Sequence, residues 1–357
     1  MPDFSSALYL GMSHPSASMQ QWQHLTSGKP AALTQSALER SLCERAAKLI
    51  GSEAACLARS TLHIYMDLLN FFSNDPIALF VDEHVYPVAQ WGAQFAGIQG
   101  CPLITFAHHD ISTLDSSMNK FCEGGRRPVV LIDGYCPGCG TLAPVSDILA
   151  LVEYYNGCLI VDDTQALGIL GSPHQSEYWG KGGGGSLRFR EVISKNLLVV
   201  NSLAKAFGVP AACISGPDHL IRCYRHLSAT RIHCSHCDTA ALHALSRALC
   251  INHRFGENLR RRLFWLILYF RRLMSRLKIK LSAGYFPVQT LLLDPTINIL
   301  KLHRQLQQHT VRTVMHARRC KSGVSISLIL TANHTVRDLQ ITADALELSL
   351  TATVASQ

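Results

Sequence analysis

The sequence predicts an α/β fold built on a mostly parallel central sheet, followed by a smaller α+β region. Three observations carry this expectation. Four short apolar runs, Ile77 to Val81, Val129 to Ile132, Cys158 to Val161 and Leu197 to Val200, lack the polar alternation of a strand with one wet face. Each therefore reads as a strand covered on both sides. Stretches of helical spacing lie between them, such as Val145 to Tyr155, and strand, helix, strand in order favours crossover connections and a parallel sheet. From about Thr239 to Leu277 the pattern is helical. It then gives way to short strands at Val288 to Leu293 and Val324 to Leu330 and a last amphipathic helix from about Val336 to Leu350.

A chain of 357 residues exceeds what one hydrophobic core normally supports. The expected division is an N-terminal arm over 1–45, a large domain over 46–250 and a small C-terminal domain over 251–357. Hydrophobic residues make up 48% of the chain and charged residues 16%, which excludes a disordered chain. The net charge of +8 is modest for this length. Its basic residues gather in the C-terminal third, at Arg260, Arg261, Arg262, Arg271 and Arg272. With no aromatic residues interleaved in a basic motif, they read as a solvated helix face and no nucleic-acid partner is expected.

No basic, apolar leader opens the chain. The most apolar helix-like run, Leu263 to Phe270, falls far short of the roughly 20 residues that span a bilayer. A soluble, cytoplasmic protein is expected. Thirteen cysteines are irregularly spaced, and the pairs Cys136/Cys139 and Cys234/Cys237 lack zinc-ribbon spacing, so free thiols and no metal are expected. The glycine-rich stretch Gly180 to Ser186 has neither the Lys-Ser/Thr of a P-loop nor GxGxxG, and it reads as a flexible surface connection.

Two strand ends can carry chemistry. Leu159-Ile160-Val161-Asp162-Asp163-Thr164-Gln165 ends a buried strand in acids, at the edge where α/β folds place ligands. Val199-Val200-Asn201-Ser202-Leu203-Ala204-Lys205-Ala206-Phe207-Gly208 ends another in small residues and one lysine. A lysine in apolar surroundings can attack a carbonyl and form a Schiff base. An acid paired with a pyridinium nitrogen keeps pyridoxal 5'-phosphate (PLP) able to accept electrons. Taken alone, a capping acid and a surface lysine explain the same residues.

The stretch Asn201 to Gly208 resembles the lysine motif of the α-oxoamine synthases, PLP enzymes of fold type I with the aspartate-aminotransferase fold. Further matches follow in the same order along nearly the whole chain. Phe4 to Gly11 is similar to that family's "NYLG" segment, and Ser27 to Pro30 to the segment after it. Phe106-Ala107-His108-His109-Asp110 resembles "HND", Asp133 to Pro144 the "EG…DG…AP" loop, Val161 to Gly168 "DEAHS.G", and Thr331 to His334 "TAxH". The resemblance implies Lys205 as the Schiff-base lysine and Asp162 as the partner of the pyridinium nitrogen. It implies Ser60, Thr61 and Ser202 as phosphate donors, Tyr86 as the ring-stacking residue and Gln165 as a hydrogen bonder to the ring oxygen.

The chain also departs from that family. Tyr86 stands where a histidine stacks, with His84 two residues earlier, and Gln165 replaces the "DEAH" histidine. A loop serine is replaced near Pro137. The carboxylate-clamping arginine falls at Ser327, with Arg312, Arg318 and Arg319 as the nearest candidates to take its place. The implied reaction is condensation of an amino acid with an acyl-CoA or acyl-carrier thioester by a homodimer. A PLP-dependent transamination and a non-catalytic partner subunit are the alternatives.

Overall fold

The computed structural model describes residues 1–33, 35–73, 75–317 and 323–354. They form two compact units, one of Ser13–Tyr135 and Leu142–Arg254, the other of Met1–Met12, Cys136–Thr141 and Phe255–Gln357.

The first unit opens with helix α1 (Ala37–Ile50) and is built on a seven-stranded sheet of β1 (Ala54–Ala58), β2 (Ile77–Asp82), β3 (Leu103–Phe106), β4 (Arg127–Asp133), β5 (Cys158–Asp162), β6 (Leu197–Ser202) and β7 (Ala212–Gly216). Their spatial order is β1-β7-β6-β5-β4-β2-β3. Pairing is parallel from β6 through β5, β4 and β2 to β3, and β7 alone runs against its neighbours. The four apolar runs are four of the five strands in this parallel block. On one face Leu79, Val81, Val129, Leu131, Ile160, Leu198 and Val200 pack with α2 (Thr61–Phe72) and α3 (Pro87–Ile98). Phe80, Val130, Ile132, Leu159, Val161 and Val199 are equally buried and alternate with them onto the opposite face. A strand buried on both sides cannot use polar alternation, which is why these segments read as unbroken apolar runs.

Helix α2 turns Ile64, Tyr65, Leu68, Leu69 and Phe72 inward, the three-and-four spacing of a helix with one apolar face. It meets α3 so closely at Gly92 that a Cβ there would lie 2.8 Å from the Tyr65 Cβ.

In the second unit, β8 (Lys280–Leu281), β9 (Val288–Leu292), β10 (Val314–Ala317) and β11 (Val324–Ile329) form an antiparallel sheet of order β8-β9-β11-β10. The N-terminal segment belongs to this unit. The Phe4 N–H donates to the Arg312 carbonyl and the Phe4 carbonyl accepts from Ile329. The Phe4 ring stacks on His334 at 4.3 Å, and Asn333 donates to the Gly11 carbonyl at 3.1 Å. Two motifs at opposite ends of the sequence thus interlock.

Two expectations are corrected. The arginines of the C-terminal third are not uniformly solvated. Arg261, Arg262 and Arg272 are exposed as expected, Arg262 also donating to the carbonyls of Ala332 and His334, but Arg260 is buried beside Glu257 at 2.7 Å and Arg271 is half-buried, donating to those of Ser282 and Gly284. The guanidinium groups of Arg260, Arg262 and Arg271 each supply several donors to otherwise orphaned acceptors, a task their forked geometry suits. The glycine-rich stretch is not a loose connection either. Gly183 to Ser186 are buried, the Gly183 carbonyl accepts from Gly168 and Gly185 donates to Leu170. At Gly185, with φ at +102°, a Cβ would lie 2.0 Å from Asp163 Oδ2, so glycine is required by close approach and not by flexibility. Gly185→Ala should lower stability by roughly 1–3 kcal/mol, read as a fall in the urea midpoint at unchanged slope.

Candidate active site

The sequence-predicted residues of the first unit gather around the carboxyl ends of β5 and β6. In their parallel pairing Val200 lies opposite Asp162. Beyond it the Ser202 N–H donates to Thr164 Oγ1 at 2.8 Å, and the Asp163 N–H donates to the Val200 carbonyl at 2.9 Å. The acids after β5 and the turn after β6 are therefore laced together.

Asp162 is 7% exposed and firmly oriented. Its Oδ1 accepts the Thr164 N–H at 3.0 Å, and its Oδ2 accepts the Tyr65 hydroxyl at 2.7 Å. Tyr65 is wholly buried, and burial together with the neighbouring carboxylate pushes its phenol well above the ordinary range. It therefore stays a proton donor to Asp162. Neither Tyr65 nor Thr164 was expected from the sequence. The available signal for Tyr65 was one hydroxyl among the apolar inward positions of a helix that opens at Ser60.

Lys205 is half-buried in the turn after β6. The turn is closed by hydrogen bonds from Leu203 to the Ala211 carbonyl and from Val209 to that of Leu203. His14 Nε2 donates to the Phe207 carbonyl at 2.8 Å. The Lys205 Nζ lies over the Tyr86 ring, 5.4 Å from its centroid, inside the range of a cation–π contact. Tyr86, 39% exposed, is placed by its own N–H, which donates to Asp133 Oδ1 at 3.1 Å. The aromatic that faces Lys205 is thus Tyr86. His84 belongs to a separate group with Asp82 and His108.

Ser60 is the N-cap of α2, accepting from the His63 N–H at 3.5 Å, and its Oγ also lies 2.8 Å from His63 Nδ1. Thr61 begins the helix. The free N–H groups and positive dipole end of a twelve-residue helix suit a phosphate, and α2 brings Tyr65 to Asp162 from the same turn and a half. Ser202 Oγ accepts from Ala204 at 3.4 Å, and Gln165 is half-buried in the turn after β5. Asp163 points away from solvent and accepts the N–H and hydroxyl of Ser186. Complete burial pushes its carboxyl up to about 7.

Ser327 lies on β11 in the other unit, buried, with its Oγ 2.7 Å from both Thr290 Oγ1 and His316 Nε2. Arg312 is exposed, 3.7 Å from Asp3, while Arg318 and Arg319 lie outside the described residues.

Residues 3–346 match the family described as Aminotransferase class I and II, so the chain belongs to that family of fold-type I PLP enzymes. It is 28% identical over 362 residues to the 8-amino-7-oxononanoate synthase of Enterobacter sp. (strain 638), covering 96% of this chain and 88% of that protein. Its fold is that of a serine palmitoyltransferase from S. paucimobilis solved with bound PLP and myriocin, at TM-score 0.83 and 13% identity over 99% of this chain and 88% of that one. The 8-amino-7-oxononanoate synthase of Francisella tularensis superposes at TM-score 0.76 and 17% identity over 99% and 98%.

Two outcomes follow from this geometry. Tyr65→Phe keeps the ring and removes one donor to a carboxylate, and should cost roughly 1–3 kcal/mol of stability, measured as a lowered unfolding midpoint. The raised pKa of Asp163 means that the folded protein holds its proton where the unfolded chain does not. Its contribution to stability is present below the ordinary value of 3.8 and is lost as pH rises through about 7. The wild-type midpoint should therefore fall over that window relative to Asp163→Asn, which has no such proton to lose.

Proposed function

We propose that the protein is a PLP-dependent enzyme that condenses an amino acid with an acyl thioester, with Lys205 holding the cofactor. The observation that carries the reading is the pairing of an oriented buried carboxylate with a lysine under an aromatic ring, at neighbouring ends of the parallel strands. The donor set fits PLP at each of its functional groups. Lys205 supplies the amine for its aldehyde and Asp162 the carboxylate for its ring nitrogen. Tyr86 supplies a flat face, Gln165 an amide for the ring oxygen, and Ser60, Thr61 and Ser202 hydroxyls for its phosphate at the mouth of α2.

When bound, PLP supplies an electron sink that stabilises negative charge at the substrate α-carbon. The chain's own part is to orient and to move protons. Tyr65 and the Thr164 N–H hold Asp162 so that it keeps a proton on the ring nitrogen. As a free amine, Lys205 would serve as the base for the substrate α-proton, and the turn anchored by His14 and Val209 keeps its amine in place. Tyr86 offers its ring as a stacking face and the Gln165 amide can only hydrogen-bond, having no proton to exchange, so proton transfer at the α-carbon is read as the work of Lys205. The condensation reading over transamination rests on similarity to the 8-amino-7-oxononanoate synthase along almost the whole chain. By the same similarity, we read the protein as a cytoplasmic homodimer, with the cofactor held in the unit of Ser13–Tyr135 and Leu142–Arg254. No described helix is long and apolar enough to cross a membrane.

The decisive measurement is the absorption spectrum of the purified protein with PLP. Wild type should show a band red-shifted from free PLP that borohydride reduction traps on Lys205, and Lys205→Ala should lack it. Wild type should then turn over amino acids with acyl-CoA or acyl-carrier donors, with no amine transfer to keto acids. A wild type that forms no band with PLP in excess would overturn the reading.

A further inference from the structure

The loops leaving β2 and β3 carry side chains that the proposed PLP chemistry leaves unused. These strands are parallel neighbours with Asp82 opposite Phe106. Residues two positions further on, His84 and His108, therefore come side by side, with ring centroids 4.6 Å apart. Asp82 is 1% exposed, and both its oxygens face His108, with Nδ1 at 2.8 Å from Oδ1 and 3.1 Å from Oδ2. One ligand atom from each of Asp82, His84 and His108 lies within 4.8 Å of the other two.

The spacing and charge suit a cation. Ligand atoms at about 2.1 Å from a tetrahedral ion stand roughly 3.4 Å apart, between the 2.8 Å that separates Asp82 from His108 and the 4.8 Å that bounds the three ligand atoms. The carboxylate is held in place by the N–H groups of His84 at 2.8 Å and His109 at 3.0 Å. A second carboxylate adds negative potential, since Glu83 Oε1 accepts the His108 N–H at 3.0 Å and lies 3.9 Å from His84 Nε2. The ring of His109 stacks on His108 at 3.7 Å and limits its rotation.

We propose that Asp82, His84 and His108 bind one divalent transition ion of the zinc class. Two imidazoles and a carboxylate are the donors such ions prefer, whereas calcium and magnesium favour oxygen ligands throughout. Three protein ligands leave a fourth tetrahedral position for water. The ion ties together the two loops, and the first of them runs on through Val85 into Tyr86. It therefore pins the tyrosine that faces Lys205 without itself touching that lysine. This assignment departs from the expectation of no metal, because the ligands come from two separate loops and no sequence motif joins them.

The test uses the full-length protein, free of any affinity tag, stripped with a chelator and titrated with Co2+ and then Zn2+, with and without PLP. One ion per chain should survive gel filtration, giving the visible bands of tetrahedral cobalt that zinc abolishes. His84→Gln and Asp82→Asn should each weaken binding at least tenfold, while His84→Gln still forms the PLP absorption band. In wild type, zinc should protect His84 and His108 from diethyl pyrocarbonate, mapped by peptide mass spectrometry, which needs no variant to fold. Absence of ion uptake by wild type, uptake unchanged in both variants, or zinc that leaves both histidines reactive would each overturn the proposal. Because metal uptake is read apart from PLP, failure here leaves the cofactor reading standing, and the converse also holds.

Discussion

The parallel pairing of β5 with β6 is the constraint on which the site depends. Once Val200 stands opposite Asp162, the chain beyond each strand has little freedom. Thr164 turns its hydroxyl to the Ser202 N–H and its own N–H to Asp162. Both backbone groups would otherwise be orphaned at a buried sheet edge, where an unmade hydrogen bond costs about 1–3 kcal/mol. The same strand that presents the carboxylate thus dictates where the lysine turn begins. A slip of one residue in β5 would send Asp162 to the opposite face of the sheet and away from the Tyr65 hydroxyl.

Around this seam the protein spends rigidity on backbone and not on charge. Gly134 and Gly185 give Asp163 room for its bonds to Ser186, since a Cβ on either would come within 2.6 Å of an Asp163 oxygen. The inner acid anchors the loop while its neighbour in sequence faces the candidate cofactor site. Two adjacent aspartates therefore sit in different settings, one enclosed against Ser186 and the other bonded by Tyr65 and Thr164 at the candidate site. Asp163 is enclosed and holds its proton up to about pH 7, and Asp162 is held as an acceptor by Tyr65 and Thr164. On the other side, Tyr86 presents its ring to Lys205 and Gln165 lies half-buried in the turn after β5.

The parallel block and the lysine turn were legible in the sequence because strands buried on both faces must be apolar throughout. Strands β1, β3 and β7 escaped notice. β3 is half-exposed along its length, and β1 and β7 are rich in alanine, cysteine, serine and glycine, which carry a weak strand signal. Tyr65 and Thr164 were missed because their roles depend on partners 97 and 38 residues away. The glycine stretch was misread since composition cannot distinguish a glycine that must bend freely from one that must let an oxygen approach. The solvated-arginine reading held for Arg261, Arg262 and Arg272 but not for Arg260, which pairs with Glu257, or for Arg271, which serves carbonyls elsewhere in its unit.

By itself, the sequence determined the fold class, the family and the residue types at two strand ends, because these follow from periodicity and from local motif order. Tertiary structure decided which aromatic meets Lys205. Tyr86 does so since its backbone N–H is held by Asp133 on the neighbouring strand, and His84 is drawn instead into a group with Asp82 and His108. It also decided how Asp162 is oriented, through a hydroxyl delivered by α2. Local sequence sets what a segment prefers to be. Which side chains share a hydrogen bond across two strands and a helix is settled only when register and packing are satisfied together.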